Sequence, residues 1–162
     1  MEPTVVTSSV VCGVDGSADS LSALGVAADL AARLGLRLIM ANVVEPTPAA
    51  YVGATSFVGA TARVLPPATD RHEAVAEQLL TRLGAAAGLE WAERRVVTGH
   101  PAERLADLAD DEGAELIVVG SRGRGAFKAA FLGSVSTSLI GVARCPVLVV
   151  PPSVAEQSGQ RA

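Results

Sequence analysis

The sequence lacks three features that would place it in common functional classes. No apolar run in its 162 residues approaches the roughly 18–20 residues that a membrane-spanning helix needs. Its first residues, Met1 to Thr4, have neither the basic start nor the apolar stretch of a signal peptide. Basic residues are not in excess, since 13 lysines and arginines stand against 17 aspartates and glutamates, for a net charge of -4. We therefore expect a cytoplasmic protein with no membrane or nucleic-acid partner, although a local group of arginines can still hold a small anion.

Residues that commonly hold metals or act in catalysis are scarce. The two cysteines, Cys12 and Cys145, have no CxxC or metal-ligand spacing and lie in apolar, strand-like stretches. We interpret them as buried free thiols rather than as a disulfide. The two histidines, His72 and His100, are isolated and are expected to face solvent. With no Ser/His/Asp arrangement and no paired carboxylates near a plausible site, the sequence predicts neither catalytic residues nor a metal centre.

Apolar runs alternate along the chain with segments of helical spacing. Hydrophobic residues make up 49% of the sequence, which is ample for a buried sheet. The predicted strands are Thr7–Val14, Leu36–Val44, Leu89–Val97, Glu115–Gly120 and Val147–Val150, and the predicted helices are Ala18–Leu34, Asp70–Ala87, Pro101–Gly113 and Ser134–Ala143. This alternation predicts a single α/β domain over residues 1–152. We expect an open five-stranded parallel sheet of order 3-2-1-4-5 with helices on both faces, as in flavodoxin-like folds.

Two segments lie outside this alternation. Glu45–Thr69 is rich in Pro, Gly, Thr and Ala, and a loop of this length in a compact domain is usually functional or mobile. It is interpreted as a lid, as a partner surface carrying Tyr51 and Phe57, or as a disordered segment. Ser153–Ala162 is a polar tail that we expect to be disordered.

A glycine-rich segment after the fourth predicted strand has the features of a phosphate-binding loop. Its glycines follow the pattern Gly-x2-Gly-x9-Gly-Ser, at Gly120, Gly123 and Gly133-Ser134, and the pattern ends at a helix start. Glycines allow the backbone to approach a phosphate, and the helix start offers unpaired N–H groups and the positive end of its dipole. The only charged residues of the segment are cationic: Arg122, Arg124 and Lys128. Ser134 is also a suitable N-cap, which is compatible with anion binding.

Two widespread phosphate motifs do not fit this segment. A P-loop needs Lys-Ser or Lys-Thr after Gly125, where Ala126-Phe127 stands. A dinucleotide fingerprint that starts at Gly123 meets Lys128 in place of its third glycine. The segment therefore indicates another kind of phosphate site.

An acidic residue follows the first predicted strand, in the run Gly13-Val14-Asp15-Gly16-Ser17. In the order 3-2-1-4-5 the first and fourth strands are neighbours, so this run and the glycine-rich segment meet where ligands bind in open parallel sheets. Two interpretations of Asp15 remain open. It belongs to an ordinary strand-to-helix turn in which Ser17 caps the first helix, or it accepts hydrogen bonds from ribose hydroxyls. A role as a metal ligand is a weaker alternative.

At these residues the chain resembles the universal stress proteins, in particular the members that bind ATP. The resemblance spans Thr7 to Val150. Besides the glycine-rich segment, it rests on the runs Val11-Cys12-Gly13-Val14-Asp15-Gly16-Ser17, Asn42-Val43-Val44-Glu45-Pro46, Gly99-His100-Pro101 and Cys145-Pro146-Val147-Leu148-Val149-Val150. It implies a fold similar to that of the adenine nucleotide alpha hydrolases. The Ser-Gly-Gly-x-Asp-Ser loop of the pyrophosphatases in that group is, however, replaced here by the run from Gly13 to Ser17.

The resemblance also implies a set of ATP-binding residues. From adenine to phosphates they are Val43; then Gly13, Val14 and Asp15; then Gly120, Arg122 and Gly123; and finally Gly133, Ser134, Val135 and Ser136. Val43 would contact adenine largely through its backbone. Gly13, Val14 and Asp15 would line the adenosine, with Asp15 toward the ribose. The group from Gly120 to Gly123 would frame the ribose and phosphates. The group from Gly133 to Ser136 would hold the phosphates by N–H groups and hydroxyls. Asn42 departs from the family, which often has histidine there.

For the function, the resemblance implies an ATP-binding, nucleotide-dependent regulator of a stress response, with ATP bound alone or with magnesium. It further implies a homodimer that pairs through the last strand, Val147–Val150. Two alternatives stay open. One is an enzyme that transfers a nucleotidyl group or hydrolyses ATP, at most slowly because no residue stands out as the base that orients water. The other is a dimeric interaction module that needs no nucleotide.

Overall fold

A computed structural model describes residues 8–46, 68–124 and 132–152 of the chain. Predictions about the long loop beyond residue 46, about Lys128 and about the tail Ser153–Ala162 lie outside these residues. In chain order the elements are β1 Ser9–Gly13, α1 Ala18–Leu34, β2 Arg37–Val44, α2 Ala68–Ala86, β3 Glu93–Thr98, α3 Pro101–Asp111, β4 Ala114–Gly120, α4 Ser134–Val142 and β5 Val147–Val150.

The five strands form one parallel sheet in the order β3-β2-β1-β4-β5, which confirms the predicted topology. β1 lies at the centre, where it pairs with β2 on one side and with β4 on the other. Because all strands are parallel, their carboxyl ends share one edge of the sheet. The chain passes from β1 outward to β2 and β3 and then returns to β4 on the opposite side of β1. The strand order therefore reverses between β1 and β4, which is where open sheets bind ligands.

Helices cover both faces of the sheet, which explains why the strands read as continuous apolar runs. One face packs against α1 and α2 through a buried cluster that includes Val10, Leu24, Leu38, Met40 and Leu80. The other face packs against α3 and α4 through a cluster that includes Val11, Ile39, Leu105, Ile117 and Leu139. Consecutive strand residues thus point to opposite faces, with the period of two that a pleated strand imposes.

The structure corrects two predicted boundaries. β3 begins at Glu93 rather than at Leu89, because Gly88 has a φ of 67° and the chain turns before the strand. Leu89 and Ala92 are buried in the core from this turn, so their apolar character does not report a strand. α2 begins at Ala68 rather than at Asp70, which lies inside its first turn. β3 is an edge strand of the sheet.

Both cysteines are free thiols, as predicted. Cys12 is completely buried on β1, and burial raises its pKa to about 12. Cys145 is only partly buried, which corrects the expectation of full burial. His72 and His100 are exposed, as predicted. Within the described ranges, no helix is both long enough and apolar enough to cross a membrane.

Candidate functional site

A cavity of about 660 Å³ opens at the carboxyl edge of the sheet, beyond the ends of β1, β2 and β4. All the residues of the predicted site line it: Gly13, Val14, Asp15, Val43, Gly120, Arg122, Gly123, Gly133, Ser134, Val135 and Ser136. The lining also includes residues that were not predicted as site residues, among them Asn42, Glu45, Pro101, Leu105 and Arg124. The fold thus brings three distant parts of the sequence to one cavity. That these residues bind a ligand stays a prediction.

Asp15 joins the tip of β1 to the glycine-rich segment. Its Oδ1 accepts hydrogen bonds from the N–H of Ser17 at 2.9 Å and from the Ser17 hydroxyl at 2.6 Å. Its Oδ2 accepts one from the N–H of Arg124 at 3.0 Å. Burial raises the pKa of Asp15, but the hydrogen bonds from Ser17, Ser20 and Arg124 together outweigh burial, so the pKa lies below its usual value.

The two interpretations of Asp15 are compatible in this geometry. Ser17 does cap α1, because its hydroxyl oxygen accepts a hydrogen bond from the N–H of Ser20 at 3.2 Å. The Asp15 residue lines the cavity at the same time, and its Oδ2 accepts a hydrogen bond from the N–H of Arg124.

Asp19 is a central residue that the sequence reasoning missed. It lies in the first turn of α1 and is 7% exposed. Its Oδ2 accepts hydrogen bonds from the Ser121 hydroxyl at 2.7 Å and from the N–H of Arg122 at 3.1 Å. The Arg122 Nε lies 3.3 Å from the same oxygen. An acidic residue two positions after the capping Ser17, at the start of an otherwise apolar helix face, was the available signal.

The two arginines of the described part of the loop have different roles. The Arg122 guanidinium forms an ion pair with Asp19, so its charge is already compensated. It lines the cavity and also holds the loop to α1, and its predicted contact with ribose and phosphates stays a prediction. The side chain of Arg124 has no hydrogen bond or ion pair to any described residue. Arg124 therefore supplies the available positive charge among the described cavity residues.

Two glycines of the predicted pattern are required because protein atoms lie beside them. A Cβ on Gly120 would lie 2.6 Å from the carbonyl carbon of Asp19, and one on Gly123 would lie 2.9 Å from the Oδ2 of Asp15. Neither glycine has a positive φ. Their missing side chains allow the loop to pack against the turn between β1 and α1, in addition to exposing backbone to the cavity.

α4 begins at the cavity without a side-chain cap. Its N-cap is Gly133 and not Ser134, which corrects the predicted cap. The first N–H groups of a helix have no intrahelical partners, so those of Ser134, Val135 and Ser136 are donors at the positive end of the helix dipole. All three residues line the cavity. The start of α4 is therefore suited to an anion.

Two predicted phosphate ligands use polar groups within the protein. The N–H of Gly133 donates to the carbonyl of Ser121 at 2.6 Å. The Ser136 hydroxyl lies 3.0 Å from the Gly133 carbonyl and 3.2 Å from the Ser121 carbonyl, and it is buried. These bonds close the loop onto α4. The Ser136 hydroxyl therefore has partners within the protein, and its predicted contact with a phosphate stays a prediction.

The end of β2 offers an unpaired stretch of backbone to the cavity. The N–H of Val14 donates to Ala41 at 2.8 Å, and the ladder between β1 and β2 ends there. By strand alternation the peptide groups of Val43 also point toward β1. The carbonyl of Val14, which would accept the Val43 N–H, instead accepts the side-chain amide of Asn42 at 2.7 Å. Among the described residues, the N–H and carbonyl of Val43 therefore remain open.

No group of three or more His, Cys, Asp or Glu residues in the described ranges is arranged to hold a metal ion. What the cavity offers is an acidic turn, an uncapped helix start and an open strand end. An open parallel sheet with such a cavity at its switch point defines an α/β domain of the doubly wound class, whose cavity lies where such sheets bind ligands.

Comparison with known proteins identifies the family. The sequence profile of the universal stress protein family matches residues 7–151. A universal stress protein of Thermus aquaticus is 36% identical over 141 residues, which cover 87% of this chain and 96% of that protein. The chain is also 33% identical over 153 residues to a universal stress protein of Mycobacterium tuberculosis, but spans only 46% of that protein's length. The chain belongs to the universal stress protein family.

Solved structures share the fold. A universal stress protein in complex with cAMP has 30% sequence identity and a TM-score of 0.61, with 90% of this chain and 98% of that chain covered. A universal stress protein from Archaeoglobus fulgidus in complex with dAMP has 21% identity and the same TM-score of 0.61, with 90% and 99% covered. Both neighbours are described as nucleotide complexes.

Proposed function

We propose that this universal stress protein binds ATP in the cavity and acts as a nucleotide-dependent regulator. The observation that carries the proposal is that the Asp15 carboxylate and the first N–H groups of α4 line the same cavity. The complexes of structural neighbours with cAMP and dAMP support an adenine nucleotide as the ligand. The family resemblance to ATP-binding members supports ATP among the adenine nucleotides.

In the proposed complex each part of the nucleotide meets a group that suits it. The open N–H and carbonyl of Val43 form a donor–acceptor pair that matches N1 and the amino group of adenine. The Asp15 carboxylate, at the cavity wall, accepts a hydrogen bond from a ribose hydroxyl. The N–H groups at the start of α4 and the side chain of Arg124 bind the phosphates.

The test removes one N–H group from the start of α4. Ser134 is the first helical residue, where proline is tolerated because its missing N–H has no intrahelical partner. Gly133 has φ −76° and ψ 169°, a conformation that a following proline allows. We expect Ser134→Pro to weaken ATP binding about tenfold, since a hydrogen bond to a charged group is worth about 1.5–3 kcal/mol. The measurement is isothermal titration calorimetry with and without magnesium.

Ser134→Ala is the matched control, because it removes the hydroxyl and keeps the N–H. We expect its affinity for ATP to stay close to that of the unmodified protein. Absence of ATP binding by the unmodified protein would overturn the proposed function. Equal ATP affinity of Ser134→Pro and Ser134→Ala would show that the phosphates bind elsewhere.

We further propose that the protein is a homodimer paired through β5. β5 is an edge strand, so the outer side of Val147–Val150 has no partner strand in the described chain. Leu148 on this strand is 36% exposed, and Ile140 and Val142 of the preceding helix are 62% and 44% exposed. An unpaired edge flanked by exposed apolar residues favours strand pairing between copies.

A further inference from the structure

Glu45 is a cavity residue to which neither the sequence pattern nor the proposed phosphate and ribose contacts give a role. It follows the last residue of β2 and lines the cavity. No described residue forms a hydrogen bond or ion pair with its side chain. Glu45 is exposed, and a ligand that covers its carboxylate displaces water, so a ligand with a hydrogen-bond donor at this position is favoured.

The position of Glu45 relative to the sheet limits what that group can be. The start of α4 and Arg124 lie beyond the end of β4, whereas Glu45 lies beyond the end of β2. β1 separates these two strands, so their ends are about 10 Å apart. The cavity thus has a donor-rich end at α4 and an acidic end at Glu45. A phosphate at the acidic end would be repelled by the carboxylate.

Apolar residues of β2 precede Glu45 on one face of the sheet. Ala41 and Val43 pack with the α3 and α4 cluster, and strand alternation continues to the same face at Glu45. Pro101 and Leu105 of α3 also line the cavity. An apolar slot with one hydrogen-bond acceptor at its rim fits a flat aromatic base that carries an amino group.

We infer that Glu45 selects adenine over 6-oxopurines by accepting a hydrogen bond from the exocyclic amine; the inference rests on the proposed function. An amino group at C6 has two N–H donors, of which one meets the carbonyl of Val43 and the other meets the Glu45 carboxylate. A 6-oxopurine has a carbonyl oxygen at C6. That oxygen offers no donor and faces the negative charge of Glu45, so its binding is opposed.

A metal-binding role for Glu45 has no support in the described residues, because no group of three His, Cys, Asp or Glu residues includes it. The end of β2 thus selects the purine base through the Glu45 carboxylate and the backbone of Val43.

The test compares ATP with inosine triphosphate, which has a 6-oxopurine base, by calorimetry on three proteins. The unmodified protein should bind ATP about tenfold more tightly than inosine triphosphate, because a site with a charged acceptor rejects a ligand without the donor. Glu45→Ala should lose ATP affinity and bind inosine triphosphate somewhat more tightly, because it removes both the acceptor and the negative charge. Glu45→Gln should bind inosine triphosphate more tightly than the unmodified protein does, because its amide donates to the C6 oxygen.

Glu90→Gln is the matched control, since Glu90 is exposed and does not line the cavity. It should leave both affinities unchanged. Suppose that the unmodified protein binds ATP, and that the ratio of its affinities for ATP and inosine triphosphate is unchanged in both Glu45 variants. The inference about Glu45 is then overturned, and the proposed ATP site stands. If the unmodified protein binds neither nucleotide, the proposed function fails together with the inference.

Discussion

At the scale of single residues, two carboxylates of the β1–α1 turn organise the glycine-rich loop. Asp19 holds Ser121 and Arg122 through one oxygen, and Asp15 holds the N–H of Arg124. The loop is thus attached at successive residues to the element that follows β1. Because Asp15 serves this attachment and also lines the cavity, ligand binding and loop position are linked through the same carboxylate.

The lowered pKa of Asp15 predicts a pH-dependent contribution to stability. Since the folded pKa lies below the unfolded value of about 3.9, Asp15 stabilises the fold above that value, and the contribution is lost as the pH falls through the folded pKa. We expect Asp15→Asn to be less stable than the unmodified protein at about pH 7 and about pH 5, and the gap to narrow toward about pH 3. Urea unfolding at each pH measures the gap.

Asp29→Asn is the control for this prediction. Asp29 lies on α1 with an exposed side chain and pairs with Arg33 at 2.9 Å. An exposed pair of this kind contributes little, so its replacement should leave a small gap at every pH. A gap for Asp15→Asn that stays constant down to about pH 3 would contradict the link between stability and the ionised carboxylate.

At the scale of elements, the sequence predicts what depends on local pattern. α1 and β5 have the predicted bounds, because helical spacing ends at Gly35 and Pro146 and Pro151 flank the strand. The start of β3 was missed because Leu89 and Ala92 are apolar for a tertiary reason: they pack into the core from a turn. Pattern alone does not separate such residues from a buried strand.

In the candidate site, too, local sequence pattern predicts some features and contacts between elements determine the others. The glycine pattern and Asp15 locate the cavity correctly, since strand order brings the ends of β1 and β4 together. The pairing of Arg122 with Asp19, the bond from Asn42 to Val14 and the position of Glu45 were not predicted. Each depends on which side chains face one another across elements, which spacing within one element does not encode.

The contact between β4 and α1 gives a prediction at this scale. A Cβ on Gly120 would lie 2.6 Å from the carbonyl carbon of Asp19 and 2.8 Å from its carbonyl oxygen. Backbone atoms cannot move aside as a flexible side chain can, so strand and helix must separate. We expect Gly120→Ala to destabilise the protein by about 2–4 kcal/mol, as overpacking of a backbone contact does. Urea unfolding measures the loss.

Gly25→Ala is its control, because a Cβ at Gly25 of α1 has nothing within 4 Å. Alanine has the higher helix propensity, so this variant should be about 0.5–1 kcal/mol more stable than the unmodified protein. A Gly120→Ala variant as stable as the unmodified protein would mean that β4 and α1 are not packed in this way.

At the scale of the whole molecule, the sheet has two edge strands that differ in length and in apolar character. β3 and β5 form these edges, and β5 is the shorter and more apolar strand. The carbonyls of Pro146 and Val150 accept hydrogen bonds from Ile117 and Ser121, so the even-numbered residues of β5 turn their peptide groups to β4. Val147 and Val149 therefore turn theirs outward, where a second copy of the chain can pair.

This alternation allows the proposed dimer to be tested without breaking the sheet. Val149→Pro removes an outward N–H, and proline is accepted at an outer strand edge. We expect it to shift the protein from dimer to monomer at micromolar concentration in sedimentation velocity, with the circular dichroism spectrum unchanged. Val149→Ala loses similar packing but keeps the N–H, so it should remain dimeric. If the unmodified protein sediments as a monomer, or if both variants dissociate alike, the pairing is not made by the backbone of β5.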